Sequence, residues 1–249
     1  MHSGDAIPPR REFKYLVPRS ELPALRQALR PWCDPDPHAG DDGVYALRSL
    51  YFDTPDLRLF HANESEMAVR FKARVRCYPE AARGPIIAEV KFRDGDIIRK
   101  TRTRLPHNWQ NALRAGSGMA LDPFVVRMHR YDLRPVLLVD YRREAWMSRI
   151  DEYARVSIDT KIECQSMTKL SLQADPKRWR SIDHPQLTFT ERSPCVVELK
   201  WAEAAPSWMV LLTQRLDMIR HSFSKYCNSM LSLAEDSYRD YREAQSVWV

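Results

Sequence analysis

A chain of 249 residues with 39 Lys and Arg against 33 Asp and Glu carries a formal charge of +6 and a pI near 9.1, a balance that favours anionic partners without naming one. Apolar residues at 44% and charged residues at 29% exclude a disordered chain. No apolar run approaches the roughly 20 residues that cross a bilayer, and five scattered cysteines without a C-x-x-C pair exclude a disulfide framework or a cysteine-built zinc site.

Residues 1–9 read as a disordered lead with no signal-peptide pattern, and REFKYLV over 11–17 predicts a strand stopped by Pro18. Leu22, Leu25 and Leu29 fall on one face of a helix predicted over 20–30, with Ser20 as its cap and Pro31 as its stop. A loop composition over 33–43 leads into a strand at 44–53, followed by a short helical patch from Leu57 to Asn63. MAVRFKARVRCY over 67–78 is the clearest strand. IIAEVKF (86–92) and IIRKTRTRL (97–105) predict a hairpin whose turn suits Asp94 and Gly95. Residues 106–133 read as helical or irregular packing, and strands return over 134–147, 153–162, a weaker stretch at 187–193, and 195–201. Behind Pro206 the period becomes helical, with Trp208, Leu211, Leu212, Leu216 and Ile219 on one helix and Phe223 to Leu233 on another. So many strands without regular βαβ alternation predict an antiparallel sheet or barrel in one domain over 10–234, with a tail at 235–249.

Alternate residues of a strand share a face. Arg70, Lys72, Arg74 and Arg76 therefore point one way, while Val69, Phe71, Ala73, Val75 and Cys77 point the other. Cations about 7 Å apart repel one another, so this row needs solvent, facing carboxylates or a polyanion. The division recurs in Glu89 with Lys91, in Lys100, Arg102 and Arg104, in Arg155, Ser157, Asp159 and Lys161, and in Glu198 with Lys200. Such faces suit either the outside of a sandwich or the lining of a closed barrel, where the predicted helices at 20–30 and 206–233 would cover the apolar outer faces. Three E-x-K pairs, Glu12 with Lys14, Glu89 with Lys91 and Glu198 with Lys200, favour the lining. They combine the cationic donors that grip phosphate with the carboxylates that hold a divalent metal.

Seven glycines without a G-x-G-x-x-G or a G-x-x-x-x-G-K-[ST] string exclude a Rossmann or P-loop phosphate cradle. Ser49, Ser224 and the cysteines have no partner at a recognisable spacing and are assigned to packing or hydrogen bonding. His129, His184 and His221 are separated singletons suited to packing or the surface.

The strings EFKY (12–15), RSLYFDT (48–54), KARVRCY (72–78), AEVKF (88–92), RKTRTRL (99–105), VDYRREAW (139–146), RVSIDTKI (155–162), VVELKW (196–201) and FSKY (223–226), in this order, resemble the VTC domain, the polyphosphate polymerase branch of the triphosphate tunnel superfamily. The resemblance implies an α+β fold in which an antiparallel β-barrel forms a tunnel with helices outside. It implies Lys14, Arg74, Arg76, Lys91, Lys100, Arg143, Arg155 and Lys200 as catalytic groups, and Arg48 and Lys225 as further phosphate ligands; the strand alternation adds Lys72 and Arg102. Glu198 resembles the family's metal carboxylate, with Glu12, Glu89 and Asp159 as weaker candidates for Mn²⁺ or Mg²⁺.

The implied reaction moves the γ-phosphoryl group of ATP onto a growing polyphosphate chain, with ATP and polyphosphate as partners and no specific nucleic acid. Hydrolases and cyclases of the superfamily begin with E-x-E-x-K, whereas Arg10 stands at the first carboxylate position here, which favours the polymerase branch. A tunnel-fold triphosphate hydrolase or nucleotide cyclase is one alternative, and a noncatalytic polyphosphate or nucleic-acid binder is another. Eukaryotic members join an SPX domain and membrane helices, neither of which is read here. The scattered cysteines point to a reducing cytoplasm as the expected location, with the membrane's inner face reached through a membrane-protein partner.

Overall fold

The computed structural model describes residues 11–234 apart from 38, 41, 82–83, 96, 116–121, 152–153 and 203; the lead at 1–9 and the tail at 235–249 lie outside the described residues. Strands are numbered along the chain. A curled antiparallel sheet runs from β1 (Arg11–Pro18) through β10 (Pro194–Trp201), β8 (Arg155–Ser166), β7 (Arg134–Ser148), β3 (Val44–Asp53), β4 (Val69–Cys77) and β5 (Ile86–Asp94) to β6 (Ile97–Leu105). The short strands β2 (Cys33–Pro35) and β9 (Arg180–Ser181) add to β7 and β8. The fold is the expected α+β tunnel of antiparallel strands. Among the described residues no backbone ladder joins β1 to β6, and side chains bridge the curl instead, with Lys91 Nζ of β5 donating to both Glu12 carboxylate oxygens of β1 at 3.2 Å.

Period two splits each long strand between an inner charged face and an outer apolar one. On β4 and β5 the outward Ala73, Val75, Ala88 and Val90 pack with Leu59 of α2 (Arg58–Glu64), Trp109 and Leu113 of α3 (Trp109–Ala115) and Phe124 and Val125 of α4 (Pro123–Arg130). On β1, β8 and β10 the outward Tyr15, Val156, Ile158, Val197 and Leu199 lie beneath Leu25 and Leu29 of α1 (Leu22–Leu29) and Trp208 and Leu212 of α6 (Ser207–Arg215). Full burial of each of these leucines contributes about 1.5–3 kcal/mol, and α1 and α6 cover the outside as the sequence predicts.

A third cluster has the opposite parity. Leu47, Tyr51, Val139, Tyr141 and Val196 share the inner faces of their strands with the charged residues, and Phe223, Tyr226 and Cys227 pack among them. Residues 225–234 are helical, so the last described helix fills part of the interior rather than covering the outside.

Several sequence expectations are corrected. Ser20 does not cap α1, because Arg19–Glu21 is a 3-10 turn and Glu21 stands at the cap without a side-chain bond. The weak strand at 187–193 is replaced by α5 (Pro185–Thr188), ended by Phe189 in a left-handed conformation at φ 53° with 95% of its surface exposed. α6 stops at Arg215 and Asp217 turns left-handed at φ 45°, which leaves Ile219 exposed. Lys161, at φ 49° beside a register shift between β7 and β8, is displaced from the inner face by this irregularity.

Candidate active site

The inner faces enclose a cavity of about 470 Å³ lined by eleven lysines and arginines and four carboxylates. Unit charges of like sign 4 Å apart repel by about 4 kcal/mol at a near-surface effective dielectric of 20, so the cations are tolerable only with counter-ions. Two clusters supply most of them, one around Glu89 and one around Glu198 with Asp159 behind the lining.

On the β4–β5–β6 wall the centre is Glu89, which is 2% exposed. Register places Arg74 and Arg102 directly opposite it on either side. Arg74 Nε donates to Glu89 Oε2 at 2.6 Å and Arg102 Nε to Oε1 at 2.9 Å, while Lys100 Nζ lies 3.2 Å away and an Arg76 nitrogen 3.7 Å away. Burial alone pushes the Glu89 carboxyl up, but Arg74, Arg76, Lys100 and Arg102 hold it well below the usual carboxylate value. Burial drives the Lys100 ammonium well below the usual lysine value despite Glu89. Arg76 Nε is buried and has no hydrogen-bond partner among the described residues.

On the facing wall Glu198 of β10 sits among Lys14, Lys200, Lys225 and Arg143. Asp159 lies behind it with no exposed surface. Arg143 grips Asp159 with two 2.7 Å bonds, and Lys225 Nζ donates to the same carboxylate at 2.5 Å. Burial pushes the Glu198 carboxyl up, yet Lys200, Lys225, Lys14 and Arg143 bring it well below its usual value. Burial opposes the Lys225 charge, but Asp159 and Glu198 raise its pKa above the ordinary lysine value.

Between the walls stand tyrosines and hydroxyls that the charge pattern did not single out. Arg74 donates to the Tyr51 hydroxyl at 3.1 Å and Arg76 to that of Tyr141 at 3.2 Å. Arg143 and Lys225 also lie over the Tyr141 ring. Burial raises the Tyr141 hydroxyl, but Arg76, Arg143 and Arg74 bring it below its usual value. Extending the alternation through Tyr45, Leu47, Ser49 and Tyr51 would have found the tyrosines on β3. Lys72 Nζ meets Ser224 Oγ at 2.7 Å, and both line the cavity. Ser224, read from the sequence as packing or hydrogen bonding, is hydrogen-bonded and also faces the cavity.

Of the residues singled out in the sequence, Lys14, Lys72, Arg74, Arg76, Lys91, Lys100, Arg102, Arg143, Arg155, Lys200 and Lys225 all line this cavity, as do Glu12, Glu89 and Glu198. Arg48 does not. Its even position on β3 puts it outside with Leu50 and Phe52, where it grips Asp140 at 2.8 and 2.7 Å, donates to the Leu172 carbonyl and lies over Trp179. Arg70 and Arg104 are also absent from the lining.

The four candidate metal ligands, Glu12, Glu89 and Glu198 of the lining with Asp159 behind it, do not fit a resident metal. Among the described residues no three His, Cys, Asp or Glu side chains converge as a metal cage. Lys225 and Arg143 bind both Glu198 and Asp159, so fixed protein cations already occupy the place a bridging metal would take. Glu89 is committed to its four cations and Glu12 to Lys91 and Lys14. The lining presents guanidinium forks and ammonium groups, donors suited to anionic oxygens.

The family model of the VTC domain matches residues 9–234. No curated protein sequence matches the chain. Among solved structures, a Bacillus halodurans protein named as a candidate adenylate cyclase superposes with a TM-score of 0.52 at 14% identity, over 89% of this chain and 96% of that one. At that identity the likeness bears on the fold alone. A Pyrococcus horikoshii protein gives a TM-score of 0.48 at 10% identity over 90% of this chain and 98% of its own.

Proposed function

We propose, from the premise that this chain belongs to the VTC domain family, that it is a polyphosphate polymerase transferring the γ-phosphoryl group of ATP to a growing inorganic polyphosphate chain and releasing ADP. The observation that carries the reading is the excess of eleven cationic side chains over four carboxylates around one cavity. Phosphoryl transfer demands positioning and charge neutralisation more than covalent participation by the protein. Arg74, Arg76 and Arg143 offer forks for nonbridging oxygens, and Lys14, Lys91, Lys100 and Lys200 add point charges along the same space. During elongation the nucleophile is a terminal oxygen of the acceptor chain, held against the γ-phosphorus by these donors. The carboxylates orient the cations and keep their mutual repulsion bearable before substrate enters.

A divalent ion, Mn²⁺ or Mg²⁺, belongs in this reading to the nucleotide's phosphates and arrives as part of the substrate. No helix among the described residues is long and apolar enough to cross a membrane. A cytoplasmic location, with product passing to a membrane-protein partner, completes the proposal.

Purified protein incubated with γ-labelled ATP and Mn²⁺ should place label in long-chain polyphosphate. Label confined to orthophosphate would instead assign a hydrolase, label in pyrophosphate with cyclic nucleotide a cyclase, and intact ATP a binding module.

A further inference from the structure

Two serine hydroxyls of the lining contact an amine, and the contact of Ser224 is the shorter, 2.7 Å from Lys72 Nζ against 3.4 Å from Lys200 Nζ to Ser157 Oγ. Lys72 of β4 and Ser224 are 152 positions apart, and the fold brings Nζ and Oγ to 2.7 Å at the cavity surface. The Cys227 backbone N–H donates to Ser224 Oγ at 3.2 Å, which holds the oxygen in place. Lys14 Nζ donates to the carbonyl of the preceding Phe223 at 2.7 Å, which ties the backbone before Ser224 to β1. Burial lowers the Lys72 ammonium to about 7; Lys14, Lys91 and Arg70 push in the same direction, and Cys227 opposes them. A neutral amine reverses the contact, so that the serine hydroxyl donates and Nζ accepts.

We propose that Ser224 is a phosphoryl acceptor of this cavity, with Lys72 as the base that takes its proton. Ser224 Oγ attacks the terminal phosphorus of a bound nucleoside triphosphate and forms an Oγ–P bond. The bond from that phosphorus to its bridging oxygen breaks, the nucleoside diphosphate leaves with the electron pair, and the hydroxyl proton ends on Lys72 Nζ. The inference rests on the reading that this cavity takes ATP as a phosphoryl donor.

The test is intact-mass and peptide mapping of the full chain after incubation with ATP and Mg²⁺ without added acceptor, beside a parallel assay of polyphosphate formation. The expected result is one phosphoryl group on Ser224 in the natural protein and in Ser224→Thr, and none at that position in Ser224→Ala. Lys72→Arg, which keeps the charge but cannot accept a proton, should label about 100-fold more slowly or less. The labelling rate should rise with pH through an inflection above about 7, since the negative charge of bound nucleotide raises the Lys72 pKa from that lowered value. Polymer formation with Ser224 unmodified would overturn the acceptor proposal and leave the polymerase reading intact, as would label on another residue. Neither polymer nor label would overturn both.

Discussion

A cation's work in this molecule follows from the face of the strand that carries it. Arg74 and Arg76 point inward and bond Tyr51, Tyr141 and Glu89, whereas Arg48 points outward and clamps Asp140. Loss of an inward fork removes a positioned donor, worth about 2–4 kcal/mol of transition-state stabilisation or roughly 30- to 1,000-fold in rate. Arg74→Ala and Arg76→Ala should therefore stay folded, because the outer face with Ala73 and Val75 is untouched, and show that loss in initial rate of polymer formation. Arg76→Lys should fall between Arg76→Ala and the natural protein, since charge survives without the fork. Arg48→Ala should do the reverse, losing about 1–3 kcal/mol of stability with a near-natural rate per folded molecule. Thermal melts run beside the rate assays separate the cases, and a rate collapse in folded Arg48→Ala would restore the phosphate role that the resemblance implied.

The three E-x-K pairs on β1, β5 and β10 each put a carboxylate and an ammonium on one strand face, and pairing between strands turns them into counter-ion clusters. Glu198 is the clearest case, with Lys14, Lys200, Lys225 and Arg143 gathered around it. Glu198→Gln leaves those cations uncompensated, and breaking a buried charge cluster of this kind costs about 3–5 kcal/mol. The expected outcome is a lower melting temperature with an unchanged metal concentration for half-maximal rate. If the variant melted like the natural protein yet needed far more Mn²⁺, Glu198 would be a metal ligand after all.

The cavity as a whole is a curled sheet held by carboxylates buried against a cationic excess, and this sets its response to acid. Burial pushes the Glu89, Glu198 and Asp159 carboxyls up, but their cations hold the folded values below the ordinary ones. The unfolded chain therefore binds more protons in acid, so these groups contribute full stability above the ordinary carboxylate range and lose it as pH falls toward the depressed values. The melting temperature should change little from these groups between about pH 7 and 5, then fall below about pH 4 as the unfolded chain takes up protons that the folded carboxylates do not. A melt at pH 3 equal to that at pH 7 would contradict this account.

Alternation is a local property, so the residues of β4, β5 and β10 determined by themselves which side chains share a charged face: Lys72 with Arg74 and Arg76, Glu89 with Lys91, Glu198 with Lys200. The motif order likewise determined the family, and the apolar faces of α1 and α6 their outer packing. Whether charged faces look inward, and which of them meet, depends on the curl of the sheet, and no single strand encodes that. Only the tertiary structure placed Arg48 outside, seated residues 225–234 in the interior, and filled the space between Glu198 and Asp159 with Lys225 and Arg143. The Lys72–Ser224 contact depended on it most, because a hydrogen bond between residues 152 positions apart leaves no spacing in the chain to read.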